Sequence, residues 1–360
     1  MKIGIDGSAL IKERPTGVEV ATRELMVALF NLDRQNQYII YSSAPLPERF
    51  RQFRNVTNRV LPPQRFWTQL ALPRAVNEDR PDVFWAPSHM LPGGLKCKTI
   101  SSVHDLAFMR FPAHYQIKER VLSWLTIYRA ARANKIIAVG HTVKADLEKY
   151  FRIPATQVEV IYHALPVHHQ LPTNEEVIRR HNLPDDFVLL VGRVEPRKNP
   201  TGAIQAFAQI KDQFPNLHLV FAGPVKHNFT AVQSLTHKLG VEERVHFLGF
   251  TPQLDVFVMY RLSQAFLFPT WYEGFGIPIL EAWAAHTPVV TTNFGAPAEV
   301  AAEAALLVDP GNPADIASKL ELAVGDEATR QHYIRAGAER LMEFSWEKSA
   351  QQLKDLFEAL

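Results

Sequence analysis

One cysteine, Cys97, among 360 residues excludes an intrachain disulfide, and no Cys/His cluster with zinc spacing accompanies it. Eighteen consecutive apolar residues occur nowhere, which excludes an ordinary transmembrane helix. The opening MKIGIDG lacks the basic-then-apolar layout of a secretory signal, so a cytoplasmic protein, soluble or peripheral at the inner face of the membrane, is expected. Low-complexity tracts and short tandem repeats are absent, and so is any basic motif interleaved with aromatics of the kind that binds nucleic acid. No D-x-D triplet stands at a strand end, so no metal clamp and no metal or other cofactor is expected.

The formal net charge of +2 hides an asymmetry. Up to Leu165 there are 23 Lys+Arg against 14 Asp+Glu, and beyond it 16 against 23. A basic first half suits an anionic partner, such as a phospholipid surface or a lipid-linked phosphate. Short β-branched runs alternate with helical-period segments along the whole chain, which argues for α/β architecture with parallel sheets. KIGID (2–6), YIIYS (38–42), VFWAP (83–87), TISSVHD (99–105), KIIAVG (135–140) and VEVIYHAL (158–165) are the strands expected in the first half. The rhythm pauses around Pro166, Pro172 and Pro184, and a second series runs from FVLLVGRV (187–194) to AALLVD (304–309). The expected division is a first domain over 1–168, a second over 169–344, and a C-terminal amphipathic helix over 345–360 started by Ser345.

The densest chemical signal is WYEGFGIPILEAW (271–283). A strand ends near Pro269, a glycine-bearing loop follows, and Pro278 opens a helix whose N-terminal N–H groups and positive end suit an anion. Glu273 in the loop and Glu281 one turn into the helix are carboxylates that can accept hydrogen bonds from sugar hydroxyls. In VGRVEPRKNP (191–200), Arg193 and Lys198 lie on a strand-to-helix turn, where open α/β sheets bind ligands. Two cations there can balance a diphosphate and the charge that grows on it as a bond breaks. His104 follows an apolar strand in SVHDLAF (102–108), Gly17 opens the first helix, and Gly223 and Phe250 end two strands of the second half.

With its Glu-x7-Glu spacing in EGFGIPILE and its Arg/Lys loop, the chain resembles the retaining family-4 glycosyltransferases of the GT-B fold, in particular the bacterial polysaccharide mannosyl- and glucosyltransferases. The resemblance implies two Rossmann-like domains facing a cleft, with the C-terminal helix crossing back toward the first. By it, Glu273 contacts the transferred sugar, Glu281 the nucleotide ribose, and the N–H groups of Phe275, Gly276 and Ile277 the sugar and phosphates. Arg193 and Lys198 hold the diphosphate, His104 donates to a sugar hydroxyl, Gly17 lies in a loop closing over the phosphates, and Gly223 and Phe250 line the base pocket. At the first helix, Val18 and Val20 depart from the glycines common in similar enzymes. The implied partners are a nucleotide-sugar donor, GDP-mannose or UDP-glucose, and a saccharide or lipid-linked acceptor. A nucleotide-sugar 2-epimerase, a glucan- or sucrose-type synthase and a non-catalytic binder are the alternatives. Leu61 to Val76, with Arg65, Phe66, Trp67, Leu70, Leu72 and Arg74, reads as either a membrane-interface segment or a core helix.

Overall fold

The computed structural model describes every residue except 14, 63–65, 89, 168–169 and 226–228, and the side chain of residue 114. The chain forms two compact units, one of Met1–Pro166 with Phe344–Leu360 and one of Val167–Glu343. The first is built on seven strands: β1 (Lys2–Asp6), β2 (Gln37–Ser42), β3 (Val56–Val60), β4 (Val83–Ala86), β5 (Lys98–Val103), β6 (Lys135–Ala138) and β7 (Val158–Val160). The second has six: β8 (Phe187–Val191), β9 (His218–Ala222), β10 (Val245–Gly249), β11 (Ala265–Phe268), β12 (Val289–Thr292) and β13 (Leu306–Val308). Their orders are β3-β2-β1-β4-β5-β6-β7 and β10-β9-β8-β11-β12-β13.

All named strand pairs are parallel. Parallel sheets carry helices on both faces, so their strands read as continuous apolar runs rather than alternating ones. AFLF of β11 and VFWA of β4 are accordingly buried at every position. In the second unit Val188, Leu219, Leu267 and Val290 pack with Phe207 and Ile204 of the helix Pro200–Ile210.

β3 is absent from the expected strands. VTNRV sits at the sheet edge, paired among the described residues only with β2 and partly exposed throughout, so it carries no apolar run to mark it. The last helix, Trp346–Glu358, belongs to the first unit and lies along the helix Gly17–Leu32. Trp346 Nε1 donates to Leu165 O at 2.8 Å, Ser349 Oγ donates to Tyr162 O at 2.7 Å, and Phe357 meets Trp85 edge-on.

In both sheets the strand order reverses beside the first strand, between β1 and β4 and between β8 and β11. Loops leaving adjacent strands in opposite directions open a crevice at such a switch point. The loops after β8 and β11 carry the two densest motifs of the sequence.

Candidate active site

The loop after β8 is shaped by three backbone devices. Gly192 takes φ +114°, a region costly for a side chain, and leaves room for the Lys198 stem. Gly192 N–H donates to Ala222 O at 2.9 Å and Val194 N–H to Pro224 O at 3.0 Å, tying this loop to the one after β9. Asn199 then caps the helix Pro200–Ile210, its Oδ1 accepting from Gly202 N at 3.1 Å while Nδ2 donates to Pro310 O at 2.8 Å. Lys198 is thereby fixed at the mouth of β8, its Nζ 4.6 Å from the centre of the Phe268 ring.

The loop after β11 meets it across the switch point. Lys198 Nζ is 2.7 Å from Glu273 Oε1, and Arg197 Nη1 is 2.9 Å from the same oxygen. Thr270 Oγ1 lies 2.9 Å from Arg197 O and 3.1 Å from Glu273 Oε1, its one proton shared between these acceptors. Arg197 also donates to Tyr272 O at 2.7 Å and reaches Glu195 Oε1 at 2.9 Å, while its own carbonyl accepts from Trp271 N–H at 2.9 Å. Burial pushes the Glu273 carboxyl up, but Lys198 and Arg197 outweigh it and hold the group below the ordinary carboxylate range. Burial likewise pulls the Lys198 ammonium down, against the opposing pull of Glu273.

Gly276 adopts φ +120° and starts the helix Ile277–Ala284. Pro278 has no N–H and Ile279 N–H donates to Gly276 O at 2.9 Å, which confines any anion contact from this helix end to the residues before Pro278. Glu281 has a different environment. Its side chain is buried, accepts from Tyr260 hydroxyl at 3.3 Å and Gln253 Nε2 at 3.5 Å, and is pushed up by burial. A small pocket beneath the loops is lined by Leu190, Gly192, Arg193, Lys198, Phe221 and Phe268. Its room is about 10 Å³, no more than a single water fills.

Two family models divide the chain between them: "Glycosyltransferase Family 4" matches residues 15–168 and "Glycosyl transferases group 1" matches 173–340. The chain is a family-4 glycosyltransferase. Among its relatives is the O-antigen chain mannosyltransferase B of Escherichia coli, 25% identical over 296 residues, covering 79% of this chain and 76% of that one. Solved structures share the fold from end to end. Anabaena HepE, crystallised with UDP and glucose, superposes with TM-score 0.73 at 18% identity over 100% of this chain and 99% of its own. A sucrose-phosphate synthase from Thermosynechococcus elongatus gives 0.74 at 17% identity, covering 100% and 98%. The fold of this glycosyltransferase is therefore GT-B.

Of the residues singled out in the sequence, Glu273 and Lys198 are in contact, and Arg193, Gly276, Ile277 and Phe275 lie in the same pair of loops. Arg193 is half exposed, with Nη1 4.0 Å from Glu195 Oε2. Phe275 is buried. Gly223 has φ +153°, and a Cβ built on it would lie 2.1 Å from Gly192 O, so the glycine serves the loop-to-loop contact directly. Phe250 follows β10 and is 73% exposed.

Gly17 is exposed at the start of its helix, behind a capping box in which Thr16 N–H and Oγ1 donate to Glu19 Oε2 at 2.6 and 2.8 Å. Lys12 closes on the same buried carboxylate. In the first unit His104 stacks on His163, with ring centres 5.5 Å apart, and its Nε2 lies 2.7 Å from Pro87 O. A carbonyl only accepts, so Nε2 carries the proton and spends it there. Any contact to a sugar then falls to Nδ1, an acceptor in the neutral ring, or requires the Pro87 bond to open.

Arg197, Glu195, Thr270 and Tyr260 join the site without having stood out in the sequence. A signal for Arg197 was present: RVEPRK holds three cations around one acid, and the middle cation is the one that bridges both loops. The stretch 61–76 resolves unequally. Leu72, Pro73, Ala75 and Val76 are buried on the helix Ala71–Asp79, Arg74 pairs with Glu78 at 3.1 Å, and Phe66 and Leu70 are exposed. Arg65 lies outside the described residues. From Ala71 onward the segment is thus a helix with one buried face, while Phe66, Gln69 and Leu70 before it are exposed.

Proposed function

We propose that this chain is a retaining, metal-independent hexosyltransferase that uses GDP-mannose or UDP-glucose and elongates a saccharide or lipid-linked acceptor in polysaccharide synthesis. The observation that carries the proposal is the Glu273 carboxylate held between Arg197 and Lys198 at the switch point of the second sheet. Glu273 is kept ionised and accepts hydroxyls of the transferred sugar. Lys198 and Arg193 take the diphosphate, aided by the backbone from Phe275 to Ile277, so its charge is met by fixed cations and dipoles and needs no divalent ion. Glu281 accepts from the ribose, and Gly223 and Phe250 border the base.

The acceptor hydroxyl attacks C1 on the face from which the diphosphate departs. The C1–O bond to phosphate breaks as the new glycosidic bond forms, and the hydroxyl proton passes to a leaving phosphate oxygen. The relative named as a mannosyltransferase supports a mannosyl donor, and HepE, crystallised with UDP and glucose, supports the second donor. The anomeric configuration of the initial product, followed by NMR, tests the stereochemistry: an axial donor must give an axial linkage. An inverted linkage refutes retention, and a 2-epimer of the nucleotide sugar with no nucleotide released refutes transfer.

A further inference from the structure

The helix Ile117–Ala130 of the first unit packs beside β5 and buries Ile127 and Ala130. A surface helix ordinarily turns its polar side outward from such a contact. Here the outward side is apolar. Ile117, Val121, Trp124 and Tyr128 recur at i, i+4, i+7 and i+11, within about 60° of one another at 100° per residue, with Leu122 and Leu125 beside them. Their exposure runs from 76% for Ile117 to 40% for Tyr128 and Leu125. Trp124 and Tyr128 stack with ring centres 5.0 Å apart.

Basic residues border and interrupt this face. Lys118, Arg120 and Arg132 lie on it or at its edge, and Arg132 sits over the Tyr128 ring at 3.7 Å. Arg129 reaches Leu91 O at 3.3 Å along the inner margin. The helix's one acid, Glu119, is occupied by Gln116 N–H at 2.9 Å at the N-terminal end. Aromatic rings and leucines ringed by long cationic side chains match the interface of an anionic bilayer, the rings at headgroup depth and the cations on the phosphates. A second copy of the chain is a poor occupant, since a two-fold contact through this face would bring Lys118, Arg120 and Arg132 of both copies into one interface with only Glu119 on the helix to offset them. The asymmetry of charge along the sequence points the same way, the first half being the basic one.

We infer that the outward face of the helix Ile117–Ala130 is a docking surface for an anionic lipid bilayer. It rests on no part of the transfer chemistry, because vesicle binding is read without turnover. The experiment is flotation of the full chain with phosphatidylcholine vesicles, with and without phosphatidylglycerol. Binding is expected only to the anionic vesicles, falling as salt rises. Lys118→Glu/Arg120→Glu should weaken it tenfold or more, at roughly fivefold per basic residue, and Val121→Ser/Leu125→Ser should weaken it comparably. Both variants alter exposed residues, so melting temperature and nucleotide release from the donor should stay at wild-type levels. Absence of wild-type flotation, flotation of both variants equal to that of wild type, or a dimer that Val121→Ser/Leu125→Ser converts to monomer would overturn the proposal.

Discussion

Replacing Arg197 by alanine should damage both stability and the ionisation of Glu273, and the two effects can be measured separately. The substitution removes a cation 2.9 Å from Glu273 and 2.9 Å from Glu195, together with the donor to Tyr272 O. Breaking a buried ion pair costs about 3–5 kcal/mol because a charge is left without its partner. Lys198 remains on Glu273, so the lower end applies, about 3 kcal/mol. For a unit the size of residues 167–343 this corresponds to a melting temperature lower by about 6–12 °C. The depressed Glu273 carboxyl contributes stability above its ordinary pKa of 4.5 and loses it as pH falls through the lower folded value. The gap between wild type and Arg197→Ala should therefore be full at neutral pH and narrow in acid. The acid limb of kcat/KM for donor turnover should move to higher pH, and Arg197→Lys, which keeps charge without the fork, should recover part of both effects. A melting temperature within about 2 °C of wild type, below the smallest shift expected, or a fall in kcat with an unmoved acid limb, refutes the reasoning.

Glu281 works in the opposite sense. Burial raises its carboxyl, so its favourable contribution is present in acid and is lost as pH rises through the folded pKa. Glu281→Gln should melt higher than wild type well above the carboxylate range, with the difference shrinking as pH falls toward the ordinary value of 4.5, while the donor KM rises roughly tenfold or more through loss of a charged acceptor. Calorimetry beside donor saturation curves reads both. Gly223→Ala forces a Cβ onto Gly192 O at a positive φ and should cost about 2–3 kcal/mol in denaturant melts. Phe250→Ala, at an exposed position, should change stability by less than about 0.5 kcal/mol and yet weaken donor binding in calorimetric titration; an unchanged affinity removes Phe250 from the base site.

The fold was legible because parallel strands buried on both faces are long apolar runs. FVLLV, AFLF and VVTT announce β8, β11 and β12 without help from neighbours. β3 was not legible, since an edge strand with one partner needs no such run. Glu273 and Lys198 were each visible within a motif, but their contact was not. They are far apart in the chain, and only the strand order, which sets β8 beside β11, brings their loops together. Arg197 was overlooked because its value lies in bridging two loops, a property of the folded arrangement. The outward apolar face of Ile117–Ala130 was hidden for a similar reason: its periodicity reads as a core helix until the packing shows which side faces solvent.

The most direct test of the central claim is nucleotide release from GDP-mannose, UDP-glucose, UDP-galactose and UDP-GlcNAc with EDTA present, using wild type, Glu273→Gln and Lys198→Ala. The account predicts turnover of one donor that survives EDTA and falls by about 10²–10³ in both variants, the usual cost of removing a group that meets transition-state charge. Turnover that requires added metal, or that persists unchanged in both variants, would contradict it.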